Sequence, residues 1–213
     1  MGNIFEEMEQ AIIDGDEELC ASLAQKTIDE GIDPSEAIDK GFAKGMRVLG
    51  DRFEKGECYL PALLTAEDAM NAAIDILKPK IEASKSQKEK RGKVVIGTIH
   101  GDVHDIGKNI VKLFMGVAGF DVIDLGRDVP VRNFIQTAQK ENADIIAASA
   151  LMTTTMVYMP ELIKQLNELG IRDQFKVMVG GACVIKSWAQ EIGSDGYGLT
   201  AKEAVENAKE LLI

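Results

Sequence analysis

Histidine is almost absent from this 213-residue chain: there are two, His100 and His104, so any imidazole chemistry must run through one or both. Cysteine is nearly as scarce. Cys20, Cys58 and Cys183 are widely spaced, odd in number and form no CxxC pair; the simplest reading is free or buried thiols in a reducing cytoplasm. No apolar run is long enough to span a bilayer, so a membrane partner is not expected. The stretch Met1-Gly2-Asn3-Ile4-Phe5-Glu6-Glu7 carries no basic segment, which predicts no secretion signal. Positive charge is also short. Lys and Arg number 24 against 35 Asp and Glu, a net charge of -11, which disfavours a nucleic-acid partner. What is present is ordinary for a globular protein: 46% hydrophobic and 28% charged residues, in a length that suits one large domain or two small ones.

Residues 1–82 read as wholly helical. One helix is expected over about Ile4–Ile13 and a second over Glu17–Glu30, separated by Gly15-Asp16. Asp33-Pro34-Ser35-Glu36 combines an N-cap acid, proline at the first helical position and glutamate three residues after the cap. The helix it starts should run through Ile38, Phe42, Met46, Leu49 and Phe53 to Gly56. A fourth is expected over about Leu60–Leu77, with Leu63, Leu64, Met70, Ala73 and Ile74 inward and Pro79 just beyond. Four helices with short breaks predict a small antiparallel bundle. Residues 83–92 are polar and lysine-rich, and read as an exposed linker and a hinge.

From Lys93 the pattern becomes strand–helix alternation. Strands are expected at Val94–Ile99, Asp121–Leu125, Asp144–Ser149 and Lys176–Val179, with a weak fifth near Asp195–Gly198. Helices should follow at about Ile106–Ala118, Val131–Glu141, Met156–Leu169, Val184–Glu191 and Ala201–Leu212. Residues 93–213 are thus predicted to form an α/β domain with a five-stranded parallel sheet, flavodoxin-like (Rossmann-like) in strand order.

Such a fold binds ligands beyond the carboxyl ends of its strands. Those ends deliver Asp102-Val103-His104, then Ser149 to Thr155, then Gly180-Gly181, then Gly196-Tyr197-Gly198. Small residues and hydroxyls there leave a slot between strand ends. His104 has polar and glycine neighbours, unlike a core histidine. A zinc pair with His100, four residues away, would need a helix that Gly101 opposes. As a lone axial ligand, His104 would have Asp102 to fix its tautomer. On these residues alone, a ligand role and a structural one stand equally open.

Gly101-Asp102-Val103-His104-Asp105-Ile106-Gly107-Lys108-Asn109-Ile110-Val111 resembles the Asp-x-His-x-x-Gly signature of cobalamin-binding domains. Ser149-x-Leu151 and Gly180-Gly181 match the second and third parts of that signature, in order. Gly56 to Leu64 resembles the cap-bundle segment that precedes such domains. The whole chain is similar to the stand-alone corrinoid proteins of methylotrophic methyltransferase systems, and to the cobalamin module of methionine synthase.

The resemblance implies a cobalamin or related corrinoid cofactor, held as methylcobalamin when loaded. It makes His104 the lower axial ligand of cobalt and Asp102 its hydrogen-bond partner. Thr155 falls where methionine synthase ends its relay in a serine. Gly101, Val103, Asp105, Ile106, Gly107 and Leu151 would contact the cofactor. Ser149 and Thr153 would meet its nucleotide tail, with Gly180, Gly181, Gly196, Tyr197 and Ala201 around it, and Phe53 and Leu60 would cover the upper, methyl-bearing face. The implied function is a methyl carrier without turnover of its own, since no barrel domain and no extra histidine or cysteine set is present. It would be loaded on cob(I)alamin by a substrate-specific methyltransferase and unloaded by a methylcorrinoid:coenzyme M or tetrahydrofolate methyltransferase, with a reductive activation protein as third partner. A cobalamin-dependent sensor is the alternative, although the chain has no basic helix for DNA. The sequence does not choose among methylamine, methanol, betaine and methoxyaromatic donors.

Overall fold

Short polar caps set the helix boundaries of the first half. In this computed structural model, which describes residues 3–83 and 91–213, the Asn3 side chain caps α1 (Ile4–Asp14) and Gly15 closes it in the left-handed region. Asp16 caps α2 (Glu17–Asp29) by accepting from Leu19 N at 2.9 Å. Asp33 accepts from Ser35 N at 2.8 Å and Pro34 opens α3 (34–54). This third helix is continuous but changes pitch: Ala37–Phe42 is a π-helical stretch leading into Ala43–Glu54. Two glycines bring it against α1. A Cβ at Gly45 would lie 2.6 Å from the Glu9 carbonyl, and one at Gly41 would lie 2.7 Å from Met8 Sδ.

The fourth helix, α4 (Leu60–Ala83), runs through Pro79 and does not stop before it. Pro79 forfeits one hydrogen bond, to Asp75, near the end of a 24-residue helix. Burial of Leu77 and Ile81 on either side offsets that loss. The buried stripe is also shifted from the expected one, to Ala66, Ala69, Met70, Ala73, Leu77 and Ile81, while Leu64 is exposed. Ala66, Ala69 and Ala73 lie in that stripe and admit close helix packing beside Met70, Leu77 and Ile81.

The chain divides into two compact units, Met1–Ser84 and Lys85–Ile213. Of the expected linker, residues 84–90 lie outside the described residues; Ala83 ends α4 and Gly92 already belongs to a strand.

The second unit is a parallel sheet in the order β2-β1-β3-β4-β5, the flavodoxin-like order. Its elements are β1 (Gly92–Thr98), α5 (Ile106–Ala118), β2 (Phe120–Asp124), α6 (Val131–Glu141), β3 (Ile145–Ser149), α7 (Thr153–Met156), α8 (Tyr158–Glu168), β4 (Lys176–Gly180), α9 (Lys186–Glu191), β5 (Gly196–Tyr197) and α10 (Ala201–Glu210). Alternation along β1 splits the core between two faces. Val94 and Ile96 join Met115 of α5 and Val205 of α10. Val95 and Ile99 join Phe134 of α6 and Leu162 of α8 on the other face. Gly97 faces Phe134, and a Cβ there would approach its ring to 2.8 Å.

Three boundaries differ from the sequence reading. Ile99 leaves the ladder to make a single bridge with Val129. The expected helix Met156–Leu169 is broken at Val157, because Pro160 has no N–H for the Met156 carbonyl and its ring would clash there. β5 is only two residues long; a Cβ at Gly198 would lie 2.5 Å from Ala204 N, so α10 follows at once.

Candidate functional site

Register places the ends of β1, β3 and β4 side by side, with Thr98 opposite Ser149 and Ser149 opposite Gly180. The loop after β1 turns sharply at Gly101, whose φ of +79° suits glycine. Two contacts tie the loop to the sheet: Ile99 N donates to Ser149 O at 2.9 Å, and the buried Thr98 hydroxyl donates to His104 O at 3.1 Å.

Asp102 stands at the centre, 0% exposed. Its Oδ1 accepts from His104 N at 3.0 Å and from His104 Nδ1 at 2.7 Å. Its Oδ2 accepts from Leu151 N at 2.8 Å, Met152 N at 3.2 Å and Thr155 Oγ1 at 2.7 Å. Burial pushes this carboxyl upward, but the hydrogen bonds from Thr155, His104 and Leu151 outweigh it and hold the pKa at about 2. Asp102 is therefore an acceptor only, which obliges Nδ1 of His104 to carry the proton. Among the described residues nothing bonds Nε2, on a side chain that is 45% exposed. Thr155, itself buried, donates to Asp102 and also lies 3.0 Å from Met152 O. Its methyl lies 3.4 Å from where a Cβ of Gly101 would stand, so the glycine accommodates what a serine would not carry.

The remaining expected site residues are distributed unevenly. Val103 and Leu151 are exposed beside the relay, as is Thr153 at the start of α7; Ser149, Asp105 and Ile106 are half-buried. A Cβ at Gly107 would meet open space, and one at Gly180 only Gly198 O, at 3.5 Å. Gly181 is glycine for a different reason: a Cβ there would collide with the Ala150 carbonyl, so the space belongs to the neighbouring strand end. Gly196 points into the core, against Met178 and Leu211. Tyr197 packs against the core and donates its hydroxyl to Val184 O at 3.0 Å. Ala201 is buried in the first turn of α10. In the helical unit, Phe53 and Leu60 are 44% and 57% exposed, so neither belongs to the bundle core.

Other groups escaped the sequence reading. Lys108, 2% exposed, donates to Asp124 Oδ1 and Asn109 Oδ1, each at 2.7 Å, and Lys112 reaches Asp124 Oδ2 at 2.9 Å. Burial pushes Asp124 up, but the hydrogen bonds from Lys108 and Lys112 prevail and hold it at about 2. This ion cluster pins the first turn of α5 to the end of β2. His100 does not join His104; its Nδ1 meets Asp128 Oδ1 at 2.9 Å and its ring lies edge-on to Tyr158.

This donor set restricts what the site can hold. Among the described residues, no group of three or more His, Cys, Asp or Glu gathers to bind a bare metal ion. One imidazole nitrogen with a fixed tautomer suits a metal that brings its other ligands with it. Val103, Leu151, Ile185 and Leu199, on the loops after β1, β3, β4 and β5, are exposed apolar residues, as are Val157 and Tyr158 at the start of α8. That apolar surface suits a broad, partly apolar ligand such as a macrocycle.

Comparison with known proteins agrees with this chemistry. The family described as "B12 binding domain" matches residues 92–206, and a second family of the same description matches residues 4–78. The trimethylamine corrinoid protein 1 of Methanosarcina acetivorans is 49% identical over 210 residues, covering 99% of this chain and 97% of that one. The structure of the Methanosarcina barkeri monomethylamine corrinoid protein superposes with a TM-score of 0.89 at 36% identity, over 98% of each chain. A chain of the methanol:cobalamin methyltransferase complex of Methanosarcina barkeri matches with a TM-score of 0.52 at 32% identity, over 99% of this chain and 84% of that one. Over nearly its whole length, then, this chain belongs to the corrinoid proteins built from B12 binding domains.

Proposed function

We propose that this chain is a corrinoid methyl carrier in which Nε2 of His104 would hold the cobalt of the corrinoid. The observation that carries the reading is the locked tautomer of His104, with Nδ1 held at 2.7 Å by buried Asp102 and Nε2 free at the carboxyl end of the sheet. When bound, the corrinoid supplies a cobalt that takes a methyl group from one partner and yields it to another.

The protein's own residues orient and tune that centre. Asp102 raises the donor strength of Nε2 by accepting the Nδ1 proton. Thr155 and the amides of Leu151 and Met152 keep Asp102 ionised, so it cannot take that proton away. Nε2 is the atom at which a proton and the metal compete, because a protonated imidazole has no lone pair to give. Thr153 and Ser149, beside the open space at Gly180, are assigned to the nucleotide tail. Residues 93–213 are assigned to the cofactor and residues 1–82, with the exposed Phe53 and Leu60, to the cap.

The names of the relatives favour a methylated amine as the methyl source, transferred by a separate methyltransferase. The carrier itself is assigned no turnover, and its place is the cytoplasm. Its downstream partner is a methyltransferase acting on coenzyme M or tetrahydrofolate.

Reconstitution tests this reading. Apoprotein mixed with hydroxocobalamin and freed of excess should retain one corrinoid per chain, with the visible spectrum of imidazole coordination. In His104→Ala the imidazole signature should vanish. A wild-type protein that retains no corrinoid would overturn the assignment. Robust methyl transfer by the purified chain without partners would overturn the carrier role.

A further inference from the structure

The loop that carries His104 is braced from a second side, by a residue with no place in the relay. The geometry points to Asp128, in the connection between β2 and α6, as a positioning residue that sets where His104 stands. This inference rests on the corrinoid reading above.

Three contacts converge on Asp128. Its Oδ1 accepts from Gly101 N at 2.7 Å and from His100 Nδ1 at 2.9 Å. Its own N–H donates to the Asp102 carbonyl at 2.8 Å. The bonded groups flank the Gly101–Asp102 peptide, the joint from which the His104 segment departs. Asp102 N is tied in turn to Ile99 O at 3.1 Å, so its backbone is held on one flank by Ile99, just past β1, and on the other by Asp128. Gly101, with a φ of +79° and no Cβ, is the most pliable joint in that segment. Bracing is needed there more than anywhere else in the loop.

The backbone of Asp128 makes the same point. Its φ is +52°, and only one other non-glycine among the described residues, Asn142, has a positive φ. Asn142 ends α6, where a left-handed residue satisfies helix carbonyls. Asp128 caps no helix, and glycine would hold its backbone with less strain. What an aspartate adds at that position is the carboxylate, and the carboxylate is what reaches the loop. The hydrogen bond from Gly101 lowers its pKa, so it stays an acceptor. His100 completes the brace by lodging between Asp128 and the Tyr158 ring, 5.2 Å between centroids, linking it to α8.

The test uses the full chain in two states. With cob(II)alamin bound, electron paramagnetic resonance counts the fraction of cobalt split by one imidazole nitrogen. Without corrinoid, amide hydrogen exchange reports on residues 101–104. Asp128→Ala and Asp128→Gly should each lower the ratio of coordinated to uncoordinated cobalt by about tenfold, the scale of lost second-layer support, and should speed loop exchange while leaving β3 unchanged. Asp128→Asn, which still accepts from Gly101 N, should restore most of both, and His100→Gln should give a smaller loss. The glycine variant relieves the backbone, so a purely structural role predicts that it behaves as well as wild type or better. Wild-type coordination or wild-type exchange in folded Asp128→Gly would overturn the brace. If wild type binds no corrinoid, the corrinoid reading fails on its own, and the exchange arm still decides whether Asp128 holds the loop.

Discussion

Two histidines on one short loop each pair with an aspartate, and the two pairs differ in almost everything except chemistry. His104 and Asp102 are 2.7 Å apart, His100 and Asp128 2.9 Å. Asp102 is sealed and accepts five hydrogen bonds, from its own loop and from the residues after β3. Asp128 has a side chain that is 55% exposed and accepts two. Burial converts the first pair into a fixed electronic state of the ring, because the carboxylate has no water to turn to. The second pair is open to water and acts by geometry alone.

The sharpest way to break this contrast is Asp102→Ala. It takes the acceptor away from Leu151 N, Met152 N and both His104 nitrogens that bond it, and leaves the Thr155 hydroxyl only Met152 O; it should destabilise the protein by about 3–5 kcal/mol in chemical denaturation. An effect below about 1 kcal/mol would mean that the pair is not sealed as described. Acid offers a second test. Asp102 and Asp124 are both held at about 2 against an ordinary 3.8. A depressed folded-state pKa gives stability that is full above the ordinary carboxylate range and lost as pH falls through the lower value. Apoprotein stability should therefore drop between about pH 4 and pH 2. In Asp102→Asn the drop should be shallower by the share of one group, as pH-dependent urea melts can show. Thr155→Val should cost about 1–2 kcal/mol and weaken imidazole coordination, whereas Thr155→Ser should leave both near wild type. His100→Gln should be the smallest on stability, with a melting temperature indistinguishable from wild type despite its effect on the loop.

The readable part of this site was the part that is local in sequence. Asp102 and His104 are two residues apart between a strand and an amphipathic helix, so their pairing follows from a single turn. Thr155 lies far along the chain, yet parallel register brings the end of β3 beside the end of β1, and that register is legible in the apolar runs. The donors from Leu151 and Met152 were not legible, because a main-chain N–H has no residue type. Lys108 reads as a solvent residue and is buried, since its partner Asp124 is supplied by the neighbouring strand. Asp128 depends on a left-handed backbone that no side chain announces. In the helical unit, caps marked the starts of the helices well. Pro79 misled on the end of α4, because tertiary burial beyond it outweighs one lost hydrogen bond.

The two oxygens of Asp102 face different parents: Oδ1 serves its own loop, Oδ2 the residues after β3. One side chain thus fastens together the segments that leave two neighbouring central strands, β1 and β3. The ring of His104 meets that carboxylate through one atom, Nδ1, so whatever Nε2 holds is a single hydrogen bond away from the carboxyl ends of both strands.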